Sequence, residues 1–188
     1  MENKIEYEEA VRIGIREGIK YIKEQEYKKT TKRYDRRLRN TRLLLKHYRD
    51  FKIHGKLVGS SDNQIYERNA IDILDNIEAI DDEEQYVQAL NRTKIRTSII
   101  VSHIDKALKY YDAICKSEGG TKERRYKIIK YMFIDPNNII PTYEETAEYF
   151  KLNIRTVGRD IKATIEDLSI LFFGIDGVKL WKSVIAKS

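Results

Sequence analysis

Cysteine, proline and long apolar runs are nearly missing from this chain, and each gap excludes something. The single cysteine, Cys115, rules out an internal disulfide framework and fits a reducing compartment. No stretch approaches the roughly 20 consecutive apolar residues of a membrane span. The opening MENKIEYEE is too acidic and polar for a secretory signal. The expectation is a cytoplasmic protein with no membrane association. Both prolines, Pro136 and Pro141, fall in one short segment. With so few breakers and abundant Glu, Lys, Arg, Ile and Leu, the composition predicts an all-α fold. Chemistry is sparse too. His47, His54 and His103 are scattered without metal-ligand spacing, and Gly119-Gly120 lacks the flanking pattern of a phosphate loop. The carboxylates from Asp81 to Glu84 are explained by a helix start. These residues assemble no catalytic site, so no enzyme, cofactor or metal is expected.

What is present is charge, unevenly spread. The net charge of +6 and a pI near 9.2 suggest an anionic partner. Residues 28–56 hold twelve Lys or Arg against Asp35 and Asp50, whereas residues 57–90 hold one Arg against nine acids. Two readings of the basic stretch compete. Lys32, Arg33, Arg36, Arg37 and Arg39 form a phosphate-contacting surface, or the basic helix face pairs with the acidic stretch inside the fold.

Apolar spacing predicts a helix over Ile5–Lys28, on which Val11, Ile15, Ile19 and Ile22 recur three or four apart. Gly14 and Gly18 interrupt it on successive turns, as a close helix contact or by simple tolerance. A second helix is expected over about Thr31–Lys52, then a loop through HGKLVGSSDNQ. A shorter helix over Ile65–Ile80 follows, with Ile71, Leu74 and Ile77 as its stripe and Glu78 opening its polar side. A long helix over about 82–116 carries a core seam of Val87, Leu90, Val101, Ile104, Leu108, Tyr111 and Cys115, with a polar gap at Lys94 and Thr97. KSEGGTKE marks the expected boundary between a helical N-terminal region, residues 1–118, and a C-terminal domain, residues 119–188. Thr121 is read as the cap of a helix running to Phe133, and DPNN as the turn after it. At the far end Gly174 stops an apolar Ser169–Phe173 stretch, and Trp181 is read as a packing anchor in a small final helix.

Residues 141–168, PTYEETAEYFKLNIRTVGRDIKATIEDL, read as a helix-turn-helix. Thr142 with Glu145 makes a capping box, and Tyr143, Ala147 and Phe150 give the first helix a buried face. After Lys151-Leu152, Asn153 caps a second helix whose buried positions are Ile154, Val157, Ile161, Ile165 and Leu168. Arg155, Arg159 and Lys162 occupy the other face, which is read as free of acidic residues. Thr156 and Gly158 are read as a slim surface that admits a phosphate backbone. Two residues depart from the usual pattern: Lys151 stands where such turns often have Gly, and Asp160 borders the cationic face.

The stretch from RYKIIKYMF through LSILFFGI resembles the sigma-factor region-four type of helix-turn-helix, in the form used by phage and prophage late-gene regulators of the ArpU and RinA type. The similarity covers roughly residues 121 to 175; RNTRLLLKHYRDFK is only loosely similar to the helical N-terminal part of such regulators. The resemblance implies that Arg155, Thr156, Arg159 and Lys162 contact promoter DNA, with Asn153 capping the reading helix. The expected function is a sequence-specific DNA-binding transcription regulator whose partner is double-stranded DNA, with RNA polymerase and a second copy of the chain as further candidate partners. The competing expectation is a small-terminase-like DNA-packaging adaptor that assembles into a ring.

Overall fold

The structure, a computed structural model, describes residues 2–55, 63–135 and 139–174, with side chains described from residue 7 in the first segment and from residue 70 in the second. The fold is all-α, with no strand among the described residues. In chain order the helices are α1 (Glu2–Lys46), α2 (Tyr48–Gly55), α3 (Asn63–Ile77), α4 (Glu83–Leu90), α5 (Lys94–Glu118), α6 (Gly120–Ile129), α7 (Tyr143–Phe150) and α8 (Ile154–Phe173). A π-helical turn, Lys130–Ile134, extends α6. The final segment with Trp181, most of the HGKLVGSSDNQ loop and part of DPNN lie outside the described residues.

Two of the expected boundaries move. The helices expected over Ile5–Lys28 and Thr31–Lys52 are one helix, because nothing between Lys28 and Thr31 breaks the ladder. Thr30 even returns its hydroxyl to the Glu26 carbonyl at 2.8 Å. The chain turns at His47 instead, and α2 follows directly. Conversely, the helix expected over 82–116 is two. Asp82 caps α4 through the Gln85 amide, the chain leaves the helix after Leu90, and Thr93 caps α5 by accepting from the Arg96 amide at 3.1 Å. Thr97, read as a polar gap, is buried and donates to the carbonyls of Leu90 and Thr93, at 3.2 and 3.1 Å.

Helices α5 and α8 run through the centre. Contacts reach α5 from α2, α3, α4, α6 and α8, and α8 from α1, α3, α5, α6 and α7. The expected seam on α5 is buried from Val101 through Cys115, and one contiguous core joins it to Leu43, Leu44 and Leu45 of α1 and to Val157, Ile161, Leu168 and Phe172 of α8. Gly119 and Gly120 both take positive φ, 66° and 52°, where a side chain would be strained. The turn they make lays α6 back against α5, and buried residues on either side of it share that core. Gly119, not Thr121, is the N-cap of α6, and it supplies no side-chain hydrogen bond. At Gly55 a Cβ would come within 3.3 Å of the Ser98 backbone, so the absence of a side chain lets α2 close on α5. In α3 the buried stripe is Ala70, Leu74 and Ile77, whereas Ile71 faces outward.

The second reading of the basic stretch describes Arg33, Arg37 and Arg39. Glu78, expected on a polar face, is buried and takes Arg33 Nε at 3.2 Å and Arg37 Nε at 3.5 Å. Asp75 approaches both guanidinium groups, and Arg39 reaches the carboxylate and carbonyl of Asp81. Arg37, only 3% exposed, stacks its guanidinium 5.6 Å from the Phe173 ring centroid. A guanidinium so enclosed offers nothing to a phosphate. Arg36 is half-buried, and of the five cations only Lys32 is exposed.

Candidate nucleic-acid interface

The segment that forms α7 and α8 is specified locally. The capping box is complete: the Glu145 amide donates to Thr142 Oγ1 at 3.2 Å, and the Thr142 amide donates to Glu145 Oε2 at 2.7 Å. Lys151 ends α7 in the left-handed region, φ 53° and ψ 47°, which costs a non-glycine residue about 1 kcal/mol. The Leu152 amide, bonded to the Ala147 carbonyl at 2.8 Å, locks that reversal. Asn153 then caps α8, accepting from the Arg155 amide at 2.9 Å. Three residues thus separate two helices, and Val157, Ile161, Thr164, Ile165 and Leu168 are buried beneath the second. Ile154, read as a buried position, is 46% exposed at the start of α8.

Arg155, Arg159 and Lys162 are all exposed, and none forms an ion pair among the described residues. The helix runs straight on through Ser169–Phe173, so the apolar stretch read as a tail is its last turn and a half, closed by Gly174 at φ 78°. The cationic face is shorter than expected. Glu166, four residues after Lys162 on the same side, places an acid there. Burial first, and then the charge of Glu166, raise the pKa of Tyr34 on α1, a helix that packs against α8.

Asp160 does not border the cationic face at all. It is 1% exposed on the inner side of α8, with Oδ2 2.8 Å from Nε of Arg124 and Oδ1 3.4 Å from Nε of Arg125 on α6. The acid that breaks the sequence pattern is therefore neutralised within the fold, and the outer face loses nothing to it. Beside this clamp, Tyr111 donates to Asp167 at 2.9 Å and Lys122 approaches the same carboxylate at 3.3 Å.

Gly158 is half-buried and faces the Tyr143 ring, with an added Cβ 3.7 Å from Tyr143 Cε2. It therefore serves packing between α7 and α8; Thr156 beside it is likewise half-buried, so the slim surface read for phosphate approach is partly covered. The Tyr143 hydroxyl accepts from Arg42 Nη2 at 2.9 Å. Arg42, exposed on α1, is thereby tethered to the helix pair, a residue that sequence reasoning missed because its partner lies 101 positions away. A sequence signal existed for Asp160, an acid set among Arg155, Arg159 and Lys162 that called for a partner.

Among the described residues no helix is long and apolar enough to cross a membrane, and no group of His, Cys, Asp and Glu could hold a metal ion. No family model, curated protein or solved structure matches the chain.

Proposed function

We propose that the chain is a non-catalytic, cytoplasmic, sequence-specific DNA-binding regulator of transcription, with α7 and α8 as its helix-turn-helix. The observation that carries this reading is the face of α8: Arg155, Arg159 and Lys162 are exposed and form no ion pair among the described residues, on a helix whose other side is locked into the core. An α-helix of this kind fits the major groove, where its first turns meet base edges. Arg155 and Arg159 are the base-reading candidates, since a guanidinium can bond guanine O6 and N7 together. Lys162 and Arg42 hold phosphates, and Asn153 fixes the start of the helix. Double-stranded DNA is the partner, as the resemblance to late-gene regulators also implies.

Selection of bound duplexes from a random pool tests this. The expected result is enrichment of a shared motif that contains guanine at contacted positions. Retention of all sequences alike would reduce the reading to a basic surface.

A further inference from the structure

From Tyr7 to Thr30 every residue of α1 is exposed, so about 36 Å of helix, at ~1.5 Å per residue, stands clear of the core. Its apolar residues are not scattered evenly. Val11, Ile15, Ile19 and Ile22 fall on one side, 42% to 58% exposed, while Ile13 and Tyr21 lie off that stripe. Gly14 and Gly18 stand beside it on successive turns, and a Cβ at either would meet nothing within 4 Å. Each glycine costs the helix about 1 kcal/mol relative to Ala, and no contact among the described residues requires it. Isolated helices with such interruptions are marginal in water. The arm also has a polarity of charge: residues 7–18 hold Glu8, Glu9 and Glu17 against Arg12 and Arg16, a net negative half, and residues 19–30 hold Lys20, Lys23, Lys28 and Lys29 against Glu24 and Glu26, a net positive half.

We propose that this arm is a docking surface for the same arm of a second copy of the chain, laid antiparallel. The charge order decides the direction. Antiparallel arms set the acidic start of each beside the basic end of the other, whereas parallel arms set like against like. Superposing the two apolar stripes end to end brings Val11 level with Ile22 of the second copy and Ile15 level with its Gly18. The glycines then leave room for close approach of the two helices. This inference is independent of DNA binding, since it uses no residue of α7 or α8.

The full-length chain tests it by sedimentation over a broad concentration series. The expected species is a dimer, and Ile15→Glu with Ile19→Glu is expected to weaken self-association by at least about a hundredfold. Both positions are exposed, so the thermal transition of the core is expected to persist. Gly18→Leu discriminates further: it favours helix formation yet is expected to loosen the dimer. Direction is read by cross-linking, with Cys115 buried and out of reach. Val11→Cys and Ile22→Cys chains are expected to join each other when mixed and not to join themselves. A monomer throughout, a ring, or self-linking at both positions would overturn the proposal.

Discussion

The carboxylate of Asp160 lies 2.8 Å from Nε of Arg124, joining the inner side of α8 to α6 at a position only 1% exposed. With Arg125 on its other oxygen at 3.4 Å, this acid joins the buried apolar residues of α8 in holding its inner side against the core.

Asp160→Asn removes the charge while keeping the shape and leaves two guanidinium groups beside an uncharged amide. Breaking a buried pair from one side costs about 3–5 kcal/mol; here the Arg124 and Arg125 side chains are 33% and 23% exposed, so the expected loss is smaller, about 2 kcal/mol. Denaturant unfolding measures it. A change within about 0.5 kcal/mol would show that the clamp adds little beyond packing.

Gly158→Ala is expected to stabilise the protein by about 0.5–1 kcal/mol, because helix propensity favours Ala and the new methyl meets the Tyr143 ring at an ordinary contact distance of 3.7 Å. DNA affinity is expected to stay the same. A loss of affinity without loss of stability would restore the view that a phosphate backbone passes over this glycine.

Arg42→Ala should weaken binding to all duplexes about equally and lower the slope of log affinity against log salt by about 1, as expected for one phosphate contact. Tyr143→Phe, which removes the hydroxyl that holds Arg42, should shift binding in the same direction by less. Salt-dependent anisotropy titrations separate the two, and an unchanged slope for Arg42→Ala would remove it from the interface.

Alkaline pH is the expected weakness of the fold. Burial raises Tyr34, Tyr48, Tyr86, Tyr111 and Tyr126 above the ordinary value of 10.0, with Tyr126 pushed up to about 12. Tyr48 also donates to Asp105, and Lys52 bonds both. Burial opposes the charge of Lys52, but Tyr48 and Asp105 outweigh it and its pKa rises. Groups that hold protons more tightly when folded contribute fully below their unfolded pKa, and that contribution drains away as pH climbs from there through the folded value. Stability should therefore fall steeply above about pH 10, with tyrosinate absorbance from the buried rings appearing together with unfolding. Gradual ionisation of every tyrosine ahead of unfolding would contradict this.

Sequence reached furthest where the physics is local. The Thr142–Glu145 box and the Asn153 cap each join residues three or fewer positions apart, and both form as their spacing implies. Continuity of α1 through Thr30 and the break before Thr93 were harder, because polar residues at those places permit either outcome until packing decides. Long-range electrostatics were out of reach. Glu78 finds Arg37 across 41 positions, Asp160 finds Arg124 across 36, and Tyr143 finds Arg42 across 101. A charge pattern showed that basic and acidic stretches exist, and only the fold shows that they meet. The absence of acid on the α8 face failed for a simpler reason: helical spacing carries Glu166 onto it one turn beyond the last cation.

The sharpest test of the α8 interface is the affinity of Arg159→Ala for its selected duplex, measured at fixed salt beside the same duplex with each guanine replaced in turn. Arg159→Ala is expected to lose about 1–3 kcal/mol and to become indifferent to one guanine position. Full affinity with unchanged base preference would contradict a reading helix at α8.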